Sequence, residues 1–248
     1  MSERLELADG GYLAFARRPG RSPTVLFLPG YRSDMAGTKA TFLDHLCART
    51  GLACVRFDYR GHGASSGRFE EGTIGRWLED ALAIVDRVTQ GPLVLVGSSM
   101  GGWIALLLAR ARRERVRALL LVAPAPDFTE RLVWQRLDAP TRTRLLQEGI
   151  VYLPSDYGEP YAFTRALIEE ARRHLWLEGE SELPCPVHIL HGRCDRDVAF
   201  TLSLELAAKL RAPHLCVELV GDGDHRLSRP QDLARLESAL LRLAAEAS

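Results

Sequence analysis

Short apolar runs alternate along the chain with longer segments whose apolar positions recur every three or four residues. Thr24–Leu28, Cys54–Phe57, Leu93–Val96, Val116–Val122, Pro186–Leu190 and Leu215–Val220 are nearly continuous aliphatic stretches, the pattern of strands buried on both faces. Between them, Gly37–Thr50 carries Phe42, Leu43, Leu46 and Cys47 on one helical face, with Gly51 as its stop. Ile74, Trp77, Leu78, Ala81, Val85 and Val88 mark a second helix, capped by Thr73. Phe200–Leu210 reads as a third. Leu233, Leu236, Leu240 and Leu243 mark the last, and Ser228 with Gln231 makes its expected capping box. Leu5–Leu7 and Tyr12–Phe15 flank Asp9, Gly10 and Gly11 as a hairpin. Strands alternating with helices predict an α/β fold: a mostly parallel central sheet flanked by helices, with right-handed crossovers.

The alternation stops between Pro126 and Leu183. Phe128–Leu137, Thr141–Glu148 and Tyr161–Trp176 read as helices around a loop at Leu153–Pro160. The segment is too long for an ordinary crossover. The expected organisation is a core of residues 1–125 and 184–248 with a helical cap of residues 126–183.

One junction stands out. Leu93–Val96 runs into Gly97, Ser98, Ser99, Met100, Gly101, Gly102 and Trp103, followed by the apolar run Ile104–Ala109. Strand, sharp turn and buried helix surround a G-x-S-x-G pattern centred on Ser99, the shape of a nucleophile elbow. Glycines suit it because strand and helix approach too closely for side chains. A serine hydroxyl needs a base, and the base an orienting carboxylate, in the chain order Ser, acid, His. Of the seven histidines, only His225 follows the last strand in that order. Asp195, after the strand Pro186–Leu190, is favoured as the acid over Asp197. His191 precedes Asp195 and reads as shaping that loop. His62, in the glycine-rich loop Tyr59–Gly67, reads as a turn-stabilising residue; that loop matches no phosphate-binding pattern. The backbone N–H groups of Tyr31, after the strand Thr24–Leu28, and of Met100, after the serine, are the expected oxyanion hole.

Composition narrows the classes. The chain of 248 residues is 46% hydrophobic and 26% charged with zero net charge, so nothing points to nucleic acid. Basic residues are almost all Arg, Lys39 and Lys209 being the only lysines. The five cysteines form no C-x-x-C pair, so neither a metal nor a cofactor is expected, and a reducing compartment is. The first residues lack an apolar signal segment, and no run is long enough to span a membrane, so the expected location is cytoplasmic.

Four motifs together resemble the α/β-hydrolase superfamily: Gly97-x-Ser99-x-Gly101, the stretch Asp58–Gly67, His191-Gly192-x-x-Asp195-x-x-Val198, and Asp224-His225. In that pattern the aspartate of H-G-x-x-D, here Asp195, is the triad acid. Leu28–Ala40, Gly97–Trp103, Leu153-Pro154-Ser155-x-Tyr157 and Asp224-His225-Arg226 resemble more closely a mitochondrial subgroup of palmitoyl-protein thioesterases and acyl-glucuronide esterases. Two departures are the absence of a mitochondrial presequence and Ala199 where many such hydrolases carry proline. The resemblance implies an acyl hydrolase with an acyl ester or thioester as its small-molecule partner, or an acylated protein. Rival readings are a C–C bond hydrolase using the same triad and a catalytically silent binder of a small ligand. Aspartate-nucleophile chemistry is excluded by Ser99.

Overall fold

A computed structural model describes residues 2–155 and 158–247. An eight-stranded sheet runs in the order β1-β2-β4-β3-β5-β6-β10-β12. The hairpin β1 (Glu3–Glu6) and β2 (Tyr12–Arg18) is antiparallel, and β2 also runs antiparallel to β4 (Leu52–Phe57). The other pairs are parallel: β3 (Arg21–Leu28) with β4 and β5 (Leu93–Ser98), β5 with β6 (Val116–Val122), and β10 (Val187–Gly192) with β6 and β12 (Leu215–Val220).

The apolar runs follow from burial on both faces. Along β3, Val25 and Phe27 pack with α1 (Thr38–Thr50) and α7 (Pro230–Glu246), while Leu26 and Leu28 face the layer of α2 (Ile74–Val88), α3 (Met100–Ala111) and α6 (Thr201–Lys209). Strand β5 divides in the same way. The helix boundaries are chemical. Gly51 takes φ 72° and closes α1, and Thr73 caps α2 by accepting from Arg76 N. The start of α7 differs from expectation. Pro230 at the first helical position moves the cap to Arg229, which pairs with Asp232, instead of Ser228 with Gln231.

Residues 126–183 are less helical than the periodicity predicts. A five-residue π-turn (Thr129–Val133) and a short 3-10 turn (Trp134–Arg136) precede α4 (Ala139–Glu148). An antiparallel hairpin follows, β7 (Ile150–Leu153) with β8 (Tyr161–Thr164), and only then α5 (Arg165–Ala171). The helix expected from Tyr161 begins at Arg165 because Thr164 takes the capping role, its hydroxyl accepting from Leu167 N at 3.1 Å. Beyond it, β9 (Ser181–Glu182) pairs with β11 (Leu210–Arg211). Tyr157 lies outside the described residues. Among the described residues, no helix is long and apolar enough to cross a membrane.

Candidate active site

The turn between β5 and α3 is strained where chemistry requires it. Ser99 sits at φ 54° and ψ −120°, a region L-residues rarely adopt. Its N–H donates to Val122 O (2.9 Å), and its carbonyl accepts from Gly102 N (2.9 Å) and Ala125 N (3.1 Å). These bonds over-determine the turn. A Cβ on Gly101 would lie 2.0 Å from Leu28 O and 2.6 Å from Pro29 O, both backbone atoms of β3 and the loop after it. Neither can retreat, so Gly101→Ala is expected to cost more than about 4 kcal/mol. Urea denaturation of the soluble fraction tests this; a variant as stable as the parent would show that α3 docks less tightly than described.

The expected partners converge on the elbow. His225 follows β12, with its Nε2 3.1 Å from Ser99 Oγ and its Nδ1 2.7 Å from Asp195 Oδ2. Asp195 follows β10, and its Oδ1 accepts from Asp197 N (2.9 Å) and Val198 N (2.8 Å). Burial pushes the Asp195 carboxyl upward. Hydrogen bonds from His191 and His225, the charge of His225 and the Val198 N–H outweigh it, leaving the group well below the usual carboxylate range. An ionised carboxylate only accepts, so His225 Nδ1 carries a proton and Nε2 presents its lone pair to Ser99. Asp195, Asp197 and His225 bring ligand-type atoms within 4.8 Å of one another. The Asp195 oxygens and both His225 ring nitrogens are engaged in hydrogen bonds.

The loop after β3 lies against the elbow: a Cβ on Gly30 would sit 3.2 Å from Ser98 O. Among the described residues, no acceptor meets the backbone N–H of Tyr31 or of Met100, leaving both donors for a ligand. The Tyr31 side chain anchors the loop. Its hydroxyl donates to Ala162 O on β8, and its ring stacks on Phe163 at 5.3 Å and meets Phe69, Trp77, Phe128 and Tyr161 edge-on. Burial lowers the pKa of His62 to about 4. The neutral ring accepts from Arg32 N (3.2 Å) and thereby braces the same loop. Asp58 joins this brace, accepting from Met35 N at 2.6 Å and Ala64 N at 2.8 Å.

A cleft of about 680 Å³ opens above Ser99. Its lining combines apolar residues, among them Phe128, Leu132, Val133, Leu153, Tyr161 and Phe163, with polar and charged ones, among them Ser33, Thr38, Lys39, Arg196, Arg226 and Ser228. Both aromatic residues of β8, Tyr161 and Phe163, line the cleft. Leu137 and Leu145 are buried in the core, Tyr152 is exposed, and Trp134 lies between the guanidinium groups of Arg142 and Arg172. Among the arginines, Arg136 and Arg226 reach the cleft, whereas Arg131 pairs with Glu205 and Arg165 with Glu169.

Known proteins resemble this chain over most of its length. Residues 25–236 match the alpha/beta hydrolase family. The chain belongs to the alpha/beta hydrolase family. Human palmitoyl-protein thioesterase ABHD10, mitochondrial, is 38% identical over 226 residues, covering 90% of this hydrolase and 74% of the human protein. The structure of alpha/beta hydrolase domain-containing protein 10 from mouse matches with a TM-score of 0.93 at 36% identity, covering 100% of both chains. Est1E from Butyrivibrio proteoclasticus with bound ferulic acid shares the fold at TM-score 0.80 and 21% identity, covering 100% of this chain and 98% of that one.

One expectation is overturned. The mammalian relatives are mitochondrial by name, which contradicts a cytoplasmic location for this hydrolase. Unpaired cysteines do not tell one reducing compartment from another, and addresses are read by receptors, not by the fold. Sequence reasoning about the hydrolase also passed over the Tyr31 side chain and gave His191 only a loop-shaping part. The aromatic residues around Tyr31 are dispersed from Phe69 to Phe163 and meet only in three dimensions. His191 is signalled by its place four residues before Asp195.

Proposed function

We propose that this alpha/beta hydrolase is a serine acyl hydrolase cleaving carboxylic esters and acyl thioesters, with Ser99, His225 and Asp195 as its catalytic triad. The observation that carries the reading is the hydrogen-bonded chain from Asp195 through His225 to Ser99, beside a cleft whose lining includes Ser99, His225 and a set of apolar residues. His225 Nε2 takes the hydroxyl proton as Ser99 Oγ attacks the acyl carbonyl carbon. The oxygen of the tetrahedral intermediate is held by the N–H groups of Tyr31 and Met100. Collapse expels the alkoxide or thiolate, which receives the proton from His225 and leaves an acyl-serine. Water then gives a proton to His225 and attacks the acyl carbon; collapse releases the acid as that proton passes from His225 to Ser99 Oγ, restoring both residues.

Residues 126–183 act as a cap over this centre. The hairpin β7–β8 supplies Leu153, Tyr161 and Phe163 to the lining of the cleft, apolar surface suited to an acyl chain. The names of the mammalian relatives support a thioester as one substrate class.

Burial of each CH₂ is worth about 0.8 kcal/mol, or up to about fourfold in kcat/KM per CH₂. A series of acyl thioesters and aryl esters from acetyl to decanoyl is therefore expected to show kcat/KM rising with length and then levelling as the cleft fills. A flat series would remove the acyl side of this reading. Preference for a vinylogous diketone over every ester would turn the reaction into C–C bond hydrolysis.

A further inference from the structure

Asp195 receives a second imidazole. His191, next to last in β10, is fully buried, with Nε2 3.0 Å from Asp195 Oδ2 and 2.9 Å from Val198 O. Its other nitrogen, Nδ1, lies 2.6 Å from the hydroxyl of Ser203, itself fully buried on α6. Both atoms facing Nε2 are oxygens that only accept, one of a carboxylate and one of a carbonyl. Nε2 therefore carries the proton, and Nδ1 accepts the Ser203 O–H.

We infer that His191, locked by Ser203, is a positioning residue that acts through Asp195 to limit how strongly His225 holds its proton. The inference rests on the triad proposed above. The two oxygens of Asp195 are held separately. Oδ1 is fixed by the N–H groups of Asp197 and Val198, which place the carboxylate without help from His191. Oδ2 alone is shared between His191 and His225. A donor on that oxygen withdraws part of the negative charge that would stabilise the imidazolium of His225. Donation from Ser203 into Nδ1 polarises the ring and strengthens its Nε2–H as a donor. The arrangement favours a base that returns its proton readily to the leaving group.

His191 faces Asp195, the Val198 carbonyl and the neutral Ser203. His225 faces Ser99, Asp195 and, within 4.8 Å, Asp197, with Lys39, Arg196 and Arg226 lining the cleft beside it.

The test is the pH profile of kcat/KM on a soluble ester, whose acidic limb reports protonation of the base in the free enzyme. His191→Leu removes the donor and is expected to move that limb upward by roughly half to one pH unit. Ser203→Ala weakens the donor and is expected to move it a smaller distance in the same direction. His191→Gln places an amide N–H near the position of Nε2 and is expected to return the limb to its wild-type position. A folded His191→Leu variant with lower activity but an unmoved limb overturns the inference, because that is a packing effect alone. If His191→Leu does not fold, an unmoved limb in Ser203→Ala overturns it instead. Failure of the underlying triad looks different: the parent enzyme would then not be labelled at Ser99 by a fluorophosphonate.

Discussion

Replacing Ser99 by alanine is expected to lower kcat by about 10⁶-fold, the scale seen when a triad serine is removed, and to abolish fluorophosphonate labelling. The fold is expected to survive. The Ser99 side chain makes no capping bond to α3, so losing its hydroxyl removes only the contact with His225 Nε2. A single partly exposed hydrogen bond is worth about 1 kcal/mol. The strained turn does not depend on Oγ, because it is held by the bonds of Ser99 N and O to Val122, Gly102 and Ala125. Ser98→Ala is the matched control. Ser98 closes β5 beside the apex, carries no bond to His225 and is expected to keep most activity. Circular dichroism and a thermal melt separate the two effects. An active Ser99→Ala enzyme, or an inactive Ser98→Ala enzyme with normal melting, would show that the nucleophile has been misassigned.

What was legible in the sequence is what local pattern encodes. Each long parallel strand is buried on both faces, so it reads as an unbroken apolar run, and the helices betray their buried faces by spacing. The elbow was legible because one of its glycines answers a contact within the motif: a Cβ on Gly97 would lie 2.4 Å from Gly101 O. The meeting of Ser99, Asp195 and His225 was legible for a related reason: in a parallel sheet, loops after β5, β10 and β12 all emerge on one edge. Positions set by tertiary contact were not legible. Phe163 lies at helical spacing with Leu167 and Ala171, yet it belongs to β8 because Thr164 starts α5 after it and Val151 pairs with it across the hairpin. Arg229 displaces Ser228 as a cap because its side chain reaches both Asp222 and Asp232.

The orienting acid is the stricter test, because two aspartates stand within two residues of each other. Asp195→Asn is expected to lower kcat by about 10⁴-fold, as wrong-tautomer variants of serine proteases do. The geometry dictates how the amide must sit. The Oδ1 position is met by two backbone N–H donors, from Asp197 and Val198, so the carbonyl oxygen of the asparagine must occupy it. That leaves the amide NH₂ at the Oδ2 position, facing His225 Nδ1 and His191 Nε2. His225 then turns Nδ1 into an acceptor and carries its proton on Nε2, where it blocks the approach to Ser99. Asp197→Asn leaves the Asp197 backbone N–H in place and is expected to cost less than about tenfold. The acid response follows from the same contacts. The Asp195 carboxyl is held below its ordinary value, so its contribution to stability is complete above the usual carboxylate range and is lost as pH falls through the lower native value. Asp195→Asn lacks that part of the acid dependence, and urea melts of parent and variant at neutral and acid pH should show the gap between them narrowing as pH falls. Equal kinetic losses from the two aspartate variants would overturn the assignment of Asp195, whatever the melts show.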